Sequence, residues 1–395
     1  MISPSCYPVV GAEAIVNIKL LKALSDSGQF SIDLITRRWK WAQYPSDTLD
    51  SFDVKLNSIE IVEVDNVINI NTIIQNILTY LKFGILYKGY HWAYPAWKVV
   101  RKKIQKSEYD YVLTKDVPSL LLGCYLKKQY GLKWVATWND PCPWTMYPKP
   151  YGRGLNAELS KMHQRIISIM READIHIFPN PRIRDYMNRY LQIEESKCIV
   201  IPHVILPPSE KTEHKYAETL RLIHSGNLGH PRNPNTFLRA LRSFLDKNPN
   251  AMISFTIMGH CNNSVKDFIS DLKLEEYVFF TTPVEYKESL NKLSDYDIAV
   301  IIEADCEEGI FLPTKVSDFL QMSIPIFAVS PQIGILNDLH KDKQVPYFAP
   351  VNDENLISLE IERVYKDFEN KSIQKVNSFS SYMTSDYVVK QYLSL

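Results

Sequence analysis

Residues 297–331 read DIAVIIEADCEEGIFLPTKVSDFLQMSIPIFAVSP, and they contain the clearest secondary-structure pattern of the chain. Two apolar runs, 298–302 and 324–329, lack any alternation of polar and apolar residues, which is typical of parallel strands buried on both faces. Between them, Pro313 is well placed in the first turn of a helix that extends to about residue 320. The stretch therefore predicts a β-α-β unit of an α/β protein with parallel sheets.

The predicted helix has an apolar face that packs on the core and a polar face that suits a ligand. Val316, Phe319 and Leu320 lie on the core side, whereas Thr314, Lys315 and Asp318 share the other side. In open α/β folds ligands bind at the carboxyl edge of the sheet, where helix N–H groups favour phosphate. A lysine there suits a diphosphate and a carboxylate one turn later suits a ribose diol. The alternative is an ordinary surface ion pair between residues 315 and 318.

Bulk composition indicates a soluble globular protein with two domains. The chain has 395 residues, of which 45% are hydrophobic and 23% charged, and no run of 18 apolar residues. Its six cysteines are scattered without metal-ligand spacing, as in a reduced cytoplasmic protein. The net charge is zero, but residues 1–205 carry 26 Lys+Arg and 19 Asp+Glu, so an anionic partner is expected for the first half.

Strand and linker patterns divide the chain into three parts. Residues 1–205 are predicted to form a Rossmann-like domain and residues 206–380 a second one. Residues 381–395 are predicted to form a helix that crosses back to the first domain. The first domain starts at Met1-Ile-Ser, where a full hydrophobic strand is expected. We therefore predict that a few upstream residues complete a truncated first strand.

Three further positions stand where an α/β protein holds a ligand. Asp140 follows the apolar strand 133–138, so it lies at a carboxyl strand end; an Asx turn before Pro141 is the alternative. Arg232 lies in the polar, glycine-containing loop 227–234 between a strand and a helix, which suits a diphosphate. Gly11 precedes the first helix and is either part of a ligand loop or a turn glycine.

Residues 80–106 are rich in aromatic side chains and in lysine and arginine, without any acid. This mixture is typical of an interfacial membrane contact, with rings at headgroup depth and ammonium groups on anionic lipid. The alternative is a pair of helices that pack the aromatics inward and expose a basic face. Nucleic acid is not expected as a partner, because no recognised binding motif accompanies the charge.

Several motifs together resemble those of family-4 glycosyltransferases of the GT-B fold. They are GIFLPTKVSDFLQMSIPIFAVSP at 309–331, WVATWNDPCPW at 134–144 and LIHSGNLGHPRNP at 222–234. The resemblance implies two Rossmann-like domains that face each other across a cleft, with the donor bound mainly to the second. It also implies retaining transfer of a sugar from a nucleotide-diphosphate donor to a hydroxyl acceptor, as in cell-surface polysaccharide or glycolipid synthesis.

The resemblance also assigns roles to single residues. Asp140, Arg232 and Lys315 are implied as catalytic, with Asp140 facing the donor sugar and the two cations on the leaving diphosphate. Asp318 is implied to bind the ribose. The other implied donor-binding residues are Gly11, Asn227, Thr282, Val284, Gly309, Ile310, Phe311, Leu312 and Thr314. The family's Glu-x7-Glu pair would place its first glutamate at Ile310, whereas Glu303, Glu307 and Glu308 are out of register.

The implied enzyme needs no metal or other cofactor. Asp295 and Asp297 have the spacing of a metal-binding D-x-D motif, but they precede a buried strand as a turn, so no metal is assigned. The expected partners are a nucleotide sugar and a glycan or lipid-linked acceptor, with the protein in the cytoplasm or at the inner face of the cell membrane. A sugar-nucleotide 2-epimerase of the same fold and a non-catalytic partner subunit remain as alternatives.

Overall fold

A computed structural model describes residues 1–9, 11–40, 42, 52–207, 217–282, 284–374 and 381–395. The chain divides into two compact units. The first comprises Met1–Tyr147, Gly152–Val204 and Tyr382–Leu395, and the second comprises Pro148–Tyr151 and Ile205–Ser381. The predicted boundary at residue 205 falls next to this division, but the segment 148–151 had been placed in the first domain. The linker that the proline and charge content predicts over residues 203–215 lies partly outside the described residues.

The first unit is built on a parallel sheet that has seven strands within the described ranges, in the order β3-β2-β1-β4-β5-β6-β7. Helices alternate with the strands, as expected for an α/β domain. The elements are β1 (Ile2–Ser3), α1 (Ala12–Asp26), β2 (Asp33–Trp39), β3 (Ser58–Val64), α2 (Ile70–Phe83), α3 (Ala93–Ile104), β4 (Tyr111–Lys115), α4 (Leu120–Tyr130), β5 (Lys133–Thr137), α5 (Lys161–Met170), β6 (Ile175–Phe178), α6 (Pro181–Leu191) and β7 (Cys198–Val200).

Strand β1 is short but central. Ile2 pairs with Ile35 on one side and with Thr114 on the other, and Ser3 pairs with Thr36. Both β1 residues are buried. Two residues are thus enough to link β2 to β4, and the proposed upstream extension of this strand stays a prediction.

The second unit has a parallel sheet of six strands in its described part, ordered β10-β9-β8-β11-β12-β13. Its elements are β8 (Leu220–Ser225), α7 (Asn235–Lys247), β9 (Ile253–Met258), α8 (Asn263–Asp271), β10 (Val278–Thr281), α9 (Tyr286–Leu293), β11 (Ile298–Ile302), α10 (Lys315–Gln321), β12 (Ile326–Ser330), α11 (Ile335–Lys341), β13 (Tyr347–Pro350) and α12 (Glu354–Glu369). The predicted α/β class with two Rossmann-like sheets is confirmed.

The β-α-β unit read from residues 297–331 is formed by β11, α10 and β12. Every residue of β11 and β12 is buried, and the two strands pair in parallel with Ala299 opposite Ile326. Val316, Phe319 and Leu320 of α10 are buried, as their spacing predicts. Helix α10 begins only at Lys315, with Pro313 and Thr314 before it. This arrangement turns Lys315 and Asp318 away from the core.

The last described helix, α13 (Ser385–Leu393), packs against α1 and belongs to the first unit. Val388 and Tyr392 are its buried residues. In the part of the chain that the structure describes, no helix is both long and apolar enough to cross a membrane.

Candidate functional site

The carboxyl ends of β8 and β11 bring together charged side chains from three separate parts of the second unit. Strand β8 is followed by Gly226 and the loop that holds Arg232, and β11 is followed by Glu303. Lys315 and Asp318 come from α10. Because parallel strands end at the same edge of a sheet, these residues occupy the position where α/β proteins bind ligands.

Arg232 and Glu303 form the centre of this edge. The Arg232 Nε lies 3.3 Å from each Glu303 carboxylate oxygen. The Tyr151 hydroxyl donates to Glu303 Oε2 at 3.1 Å, and the Arg232 guanidinium lies 5.7 Å from the centre of the Tyr151 ring. Burial alone would lower the pKa of Arg232, but the Glu303 carboxylate outweighs it and raises that pKa. Arg232 therefore remains a fixed cation at the sheet edge.

Lys315 is held directly over the turn that follows β8. A Cβ added to Gly226 would collide with the Lys315 ammonium, and Gly226 has a φ of +132°, which favours glycine. Burial, with the nearby Arg232 charge, lowers the pKa of Lys315 to about 8. The bare glycine backbone thus lets a second cation approach the same edge.

His224 lies beneath these cations. Its ring is buried, and Nδ1 lies 3.0 Å from the Val300 carbonyl oxygen, which can only accept. Burial and the nearby Lys315 charge push the pKa of His224 well below its usual value, so the ring is neutral. His224 adds no charge to the edge and leaves Nε2 as its acceptor.

Asp318 is fixed by a phenol from the neighbouring helix. The Tyr286 hydroxyl of α9 donates to Asp318 Oδ1 at 2.6 Å. Burial and the Asp318 carboxylate raise the pKa of Tyr286, so this phenol keeps its proton. One electrostatic environment therefore contains Arg232, Lys315 and Asp318, which come from separate sequence motifs. The charges of Arg232 and Asp318 both act on Lys315.

The loop 309–312 is partly committed to structural contacts. The Gly309 N–H donates to the Ile333 carbonyl, and the Gly309 carbonyl accepts from Ile335 N–H at 2.9 Å. Ile310 and Leu312 are buried, and Phe311 packs edge-to-face on Tyr151 at 5.0 Å. The donation of backbone N–H groups to a diphosphate stays a prediction, and at Gly309 that N–H already has an acceptor.

The remaining candidates of the second unit lie around the same sheet. Asn227 is exposed, and its side-chain oxygen accepts from His260 N–H at 3.1 Å. Thr314 directly precedes α10, and its carbonyl accepts from Ser317 at 2.8 Å. Thr282 and Val284 follow the end of β10. Their roles in donor binding stay predictions.

Asp140 belongs to a different cluster, at the carboxyl edge of the first sheet. Asn139 donates to Glu13 Oε1 at 2.6 Å, and Asp140 and Asp116 both act electrostatically on Glu13. Burial and these carboxylates raise the pKa of Glu13 well above its usual value, although Lys115 opposes the shift. Asp140 therefore lies in a polar group at this sheet edge, in which the Glu13 carboxyl holds its proton more strongly than a free carboxyl does.

The loop at the start of α1 completes this first-unit cluster. Gly11 immediately precedes the helix with a φ of +147°, and nothing lies within 4 Å of where its Cβ would be. Asp116 directly follows β4 with a φ of +71°, and its Oδ2 accepts from the Ser5 N–H at 3.0 Å. The Asp116 carboxylate therefore joins the loop after β4 to the end of β1 and the residues that follow it.

Sequence reasoning missed several of these residues. Glu303 was set aside because its position in the chain does not fit the family's spacing, yet it reaches Arg232 from the end of β11. Its position directly after a buried strand was the signal that could have found it. Tyr151 carried no signal, since the segment 148–151 is flanked on both sides by residues of the first unit. Tyr286, Glu13, Lys115 and Asp116 are brought in by long-range packing.

Asp297, the second residue of the D-x-D spacing, has a structural role. Its carboxylate accepts from the Arg221 backbone N–H at 2.7 Å and from Arg221 Nε at 3.1 Å, and its side chain is fully buried. Among the residues that the structure describes, no group of three or more His, Cys, Asp or Glu side chains is arranged to hold a metal ion.

Comparison with known proteins agrees with the α/β fold described above. The family model for Glycosyltransferase Family 4 matches residues 18–207. No curated protein sequence matches the chain. Among solved structures, a glycosyltransferase from Rickettsia africae has a TM-score of 0.66 at 14% identity, and the match covers 100% of this chain and 96% of that one.

Two other similar structures differ in their chemistry. The Anabaena protein HepE, solved with UDP and glucose, has a TM-score of 0.65 at 14% identity, with coverage of 100% of this chain and 98% of that chain. A putative UDP-N-acetylglucosamine 2-epimerase from Listeria monocytogenes has a TM-score of 0.56 at 14% identity, with coverage of 99% and 94%. At such identities the likeness concerns the fold alone. The two parallel α/β sheets and these likenesses show a GT-B fold, and residues 18–207 of the chain match Glycosyltransferase Family 4.

Proposed function

We propose that this enzyme transfers a sugar from a nucleotide-diphosphate donor to a hydroxyl acceptor with retention of anomeric configuration. We further propose that the product is a cell-surface polysaccharide or glycolipid. One observation carries the proposal: two cations, Arg232 from the loop after β8 and Lys315 from the start of α10, share the carboxyl edge of the second sheet with the Asp318 carboxylate.

The side chains at this sheet edge match the chemical groups of a nucleotide-sugar donor. Arg232 and Lys315 offer positive charge for a diphosphate, and a guanidinium binds phosphate oxygens in a fixed geometry. Asp318 Oδ1 already accepts from Tyr286, and a carboxylate has about four acceptor directions in all, which suits a ribose diol. The predicted backbone contacts of residues 309–312 and of Thr282 and Val284 would complete donor binding.

The same cations would act in the chemical step. As the bond between the anomeric carbon and the diphosphate oxygen breaks, negative charge grows on the diphosphate, and fixed cations stabilise it. The acceptor oxygen then bonds to the anomeric carbon on the face the diphosphate has left. Its proton passes to the departing phosphate oxygen, so the diphosphate leaves protonated and the configuration is retained. We propose that Arg232 and Lys315 do this work without a resident metal, so EDTA should leave the rate unchanged.

The first-unit cluster offers hydroxyl-binding chemistry. The raised pKa of Glu13 favours its protonated form, which both donates and accepts hydrogen bonds, whereas an ionised carboxylate only accepts. Together with Asn139 and Asp140, it suits the alternating donors and acceptors of a sugar ring. We propose that Asp140 positions the transferred sugar, as the family resemblance implies. Gly11 leaves the approach to these groups unobstructed, because it has no side chain.

Product analysis tests the proposal. The purified chain is incubated with UDP-, GDP-, ADP- and CDP-sugars, with and without hydroxyl acceptors, and free nucleoside diphosphate and glycoside are measured. We expect acceptor-dependent release of one nucleoside diphosphate and a product with the donor's anomeric configuration by NMR. An inverted product would contradict retention, and no release with any donor would favour a non-catalytic subunit.

The 2-epimerase alternative keeps some support, because the chain holds carboxylates at both sheet edges, Glu303 in one unit and Glu13 with Asp116 in the other. An epimerase exchanges the hydrogen at carbon 2 of the sugar. The same incubations in D₂O, without acceptor, separate the two activities. Deuterium at carbon 2 would establish epimerase chemistry, whereas transfer leaves that position unlabelled.

The pKa of Lys315 predicts a pH dependence for donor use. Burial lowers this pKa to about 8, and a neutral amine no longer attracts phosphate. We therefore expect kcat/KM for the donor to fall as pH rises through about 8, because kcat/KM reports on the free enzyme. In Lys315→Arg the cation persists, so the fall should disappear. An unchanged profile in that variant would show that another group titrates.

The lowered pKa of Lys315 also makes the free energy of unfolding depend on pH. The folded pKa lies below the unfolded value of 10.5, so between about 8 and 10.5 the unfolded chain binds more protons. The contribution of Lys315 to the free energy of unfolding therefore rises with pH across that window. Activity and this contribution are expected to move in opposite directions.

We propose a cytoplasmic enzyme at the inner face of the cell membrane, with a glycan or lipid-linked acceptor. Six free cysteines, four of them buried, fit a reducing compartment. Residues 80–106 only partly support the predicted aromatic membrane contact, because Tyr90 and Trp92 are buried. Their lysines and arginines are mostly exposed, as the alternative of inward-packed aromatics predicts.

A further inference from the structure

Helix α2 in the first unit exposes its apolar side and buries a polar one, which is the reverse of a helix that covers a sheet. Its buried residues are two threonines, Thr72 and Thr79. Its exposed side carries a continuous apolar stripe at helical spacing: Ile70, Ile73, Ile74, Ile77 and Leu81. A helix that belonged only to its own domain would bury this stripe and expose the threonines. The stripe therefore indicates a partner outside the unit.

The apolar surface continues beyond both helix ends. Val67 and Ile68 precede the helix, and Leu86 follows it, and all three are exposed; Ile68 is 89% exposed. Tyr80 is also exposed at the C-terminal end of the stripe. We call residues 67–86 with these exposed side chains the α2 face. A helix of this length spans about 20 Å, so the face is too large to be explained by singly scattered surface residues.

The charge around the α2 face identifies its partner. Residues 66–107 contain seven lysines and arginines and no aspartate or glutamate. Lys82 follows Leu81 directly, and Lys88 lies two residues after Leu86; both are exposed. Helix α3, which packs against α2, adds exposed Lys98, Arg101 and Lys102. An apolar stripe bordered only by cations matches a surface that is apolar inside and anionic outside.

We propose that the α2 face lies in the interface of an anionic phospholipid bilayer. The isoleucines would enter the boundary between headgroups and acyl chains, to a depth of about 5–10 Å, and the lysines would contact lipid phosphates. A second copy fits less well. A two-fold contact places the same patch on both sides, so the seven cations would meet their equals without an acid in the segment.

This inference deepens the proposed membrane localisation by naming the surface, and it differs from the sequence prediction. The prediction relied on the aromatic rings of 80–106, but the lipid-facing groups are aliphatic and lie mainly N-terminal to that segment. The proposed bilayer contact does not depend on the sugar chemistry. Vesicle binding without transfer, or transfer without vesicle binding, would separate failure of one proposal from failure of the other.

Sedimentation with vesicles tests the α2 face. The full chain is mixed with vesicles of phosphatidylcholine alone or of phosphatidylcholine with phosphatidylglycerol, and the bound fraction is measured. We expect binding to the anionic vesicles, weaker binding to neutral ones, and a further loss at about 1 M salt, where the Debye length is about 3 Å. Absence of binding to anionic vesicles by the folded chain would overturn the proposal.

A matched pair of variants locates the contact. Ile77→Gln with Leu81→Gln changes two apolar residues that are 52% and 73% exposed, so folding should be unaffected. We expect the partition coefficient for anionic vesicles to fall about tenfold or more. Leu356→Gln with Leu359→Gln, 45% and 57% exposed on α12, is the control and should bind like the wild type. Equal binding by both variants would overturn the proposal, as would a dimer that only the first variant abolishes.

Discussion

Arg232→Ala is expected to reduce kcat by about 10²–10³-fold, because the variant loses a cation aimed at developing charge. The guanidinium lies 3.3 Å from Glu303 and is held against the ring of Tyr151. Without it, Lys315 alone would face the leaving diphosphate, next to an unbalanced Glu303 carboxylate. Steady-state kinetics with a saturating donor measures the effect, since the loss is expected in kcat more than in KM.

Arg239→Ala is the matched control for this variant. Arg239 pairs with Glu354 at 2.8 Å, and its side chain is 43% exposed, against 41% for Arg232. The Arg239–Glu354 pair is exposed on both sides and contributes about 1 kcal/mol or less, so Arg239→Ala should change the melting temperature only slightly. Arg232→Ala leaves the buried Glu303 carboxylate without this cation, so its melting temperature is measured alongside its turnover. If both variants lost activity equally, or if Arg232→Ala kept wild-type turnover, Arg232 would have no special role in catalysis.

Asp318→Asn is expected to weaken nucleotide binding by about 10–100-fold. A hydrogen bond to a charged group contributes about 1.5–3 kcal/mol, and the carboxamide loses both the charge and one acceptor. Tyr286 donates to Oδ1 of this carboxylate, so the side chain is already oriented before a ligand arrives. Calorimetric titration with the nucleoside diphosphate, without any acceptor, measures binding separately from catalysis.

Two companion variants interpret that result. Tyr286→Phe keeps the carboxylate but removes its phenol donor, so a smaller loss of affinity is expected than in Asp318→Asn. Asp246→Asn changes a carboxylate that pairs with Arg242 on α7, and it should bind nucleotide normally. Wild-type affinity in Asp318→Asn would remove the ribose role from Asp318.

The sequence was most informative where a local pattern determines the structure. The uniformly apolar runs 298–302 and 324–329 indicated buried strands, and the spacing of Val316, Phe319 and Leu320 indicated a core-facing helix. Strand ends and helix starts then locate the ligand edge of the sheet, because parallel topology brings them together. Topology makes Arg232, Lys315 and Asp318 candidates for this edge, and the resemblance of their motifs to those of family-4 glycosyltransferases favoured a nucleotide site over a surface ion pair.

The sequence was least informative where a contact depends on distant segments. Glu303 was judged by its spacing along the chain, but its distance from Arg232 depends on how β8 and β11 pair. Tyr151 reaches the second unit through a four-residue excursion that has no sequence pattern of its own. The α2 face was not predicted, because the membrane contact was inferred from the aromatic and basic composition of residues 80–106, and most of the exposed apolar stripe lies before that segment.

A thermal-shift experiment tests the central claim most directly, because any ligand that binds only the folded chain raises its melting temperature. UDP, GDP, ADP and CDP are each titrated into the wild type and into a double variant, Arg232→Ala with Lys315→Ala. We expect at least one nucleotide to raise the melting temperature of the wild type and the double variant to lose this response. No response to any nucleotide in the wild type, or an equal response in both proteins, would contradict a diphosphate site at this sheet edge.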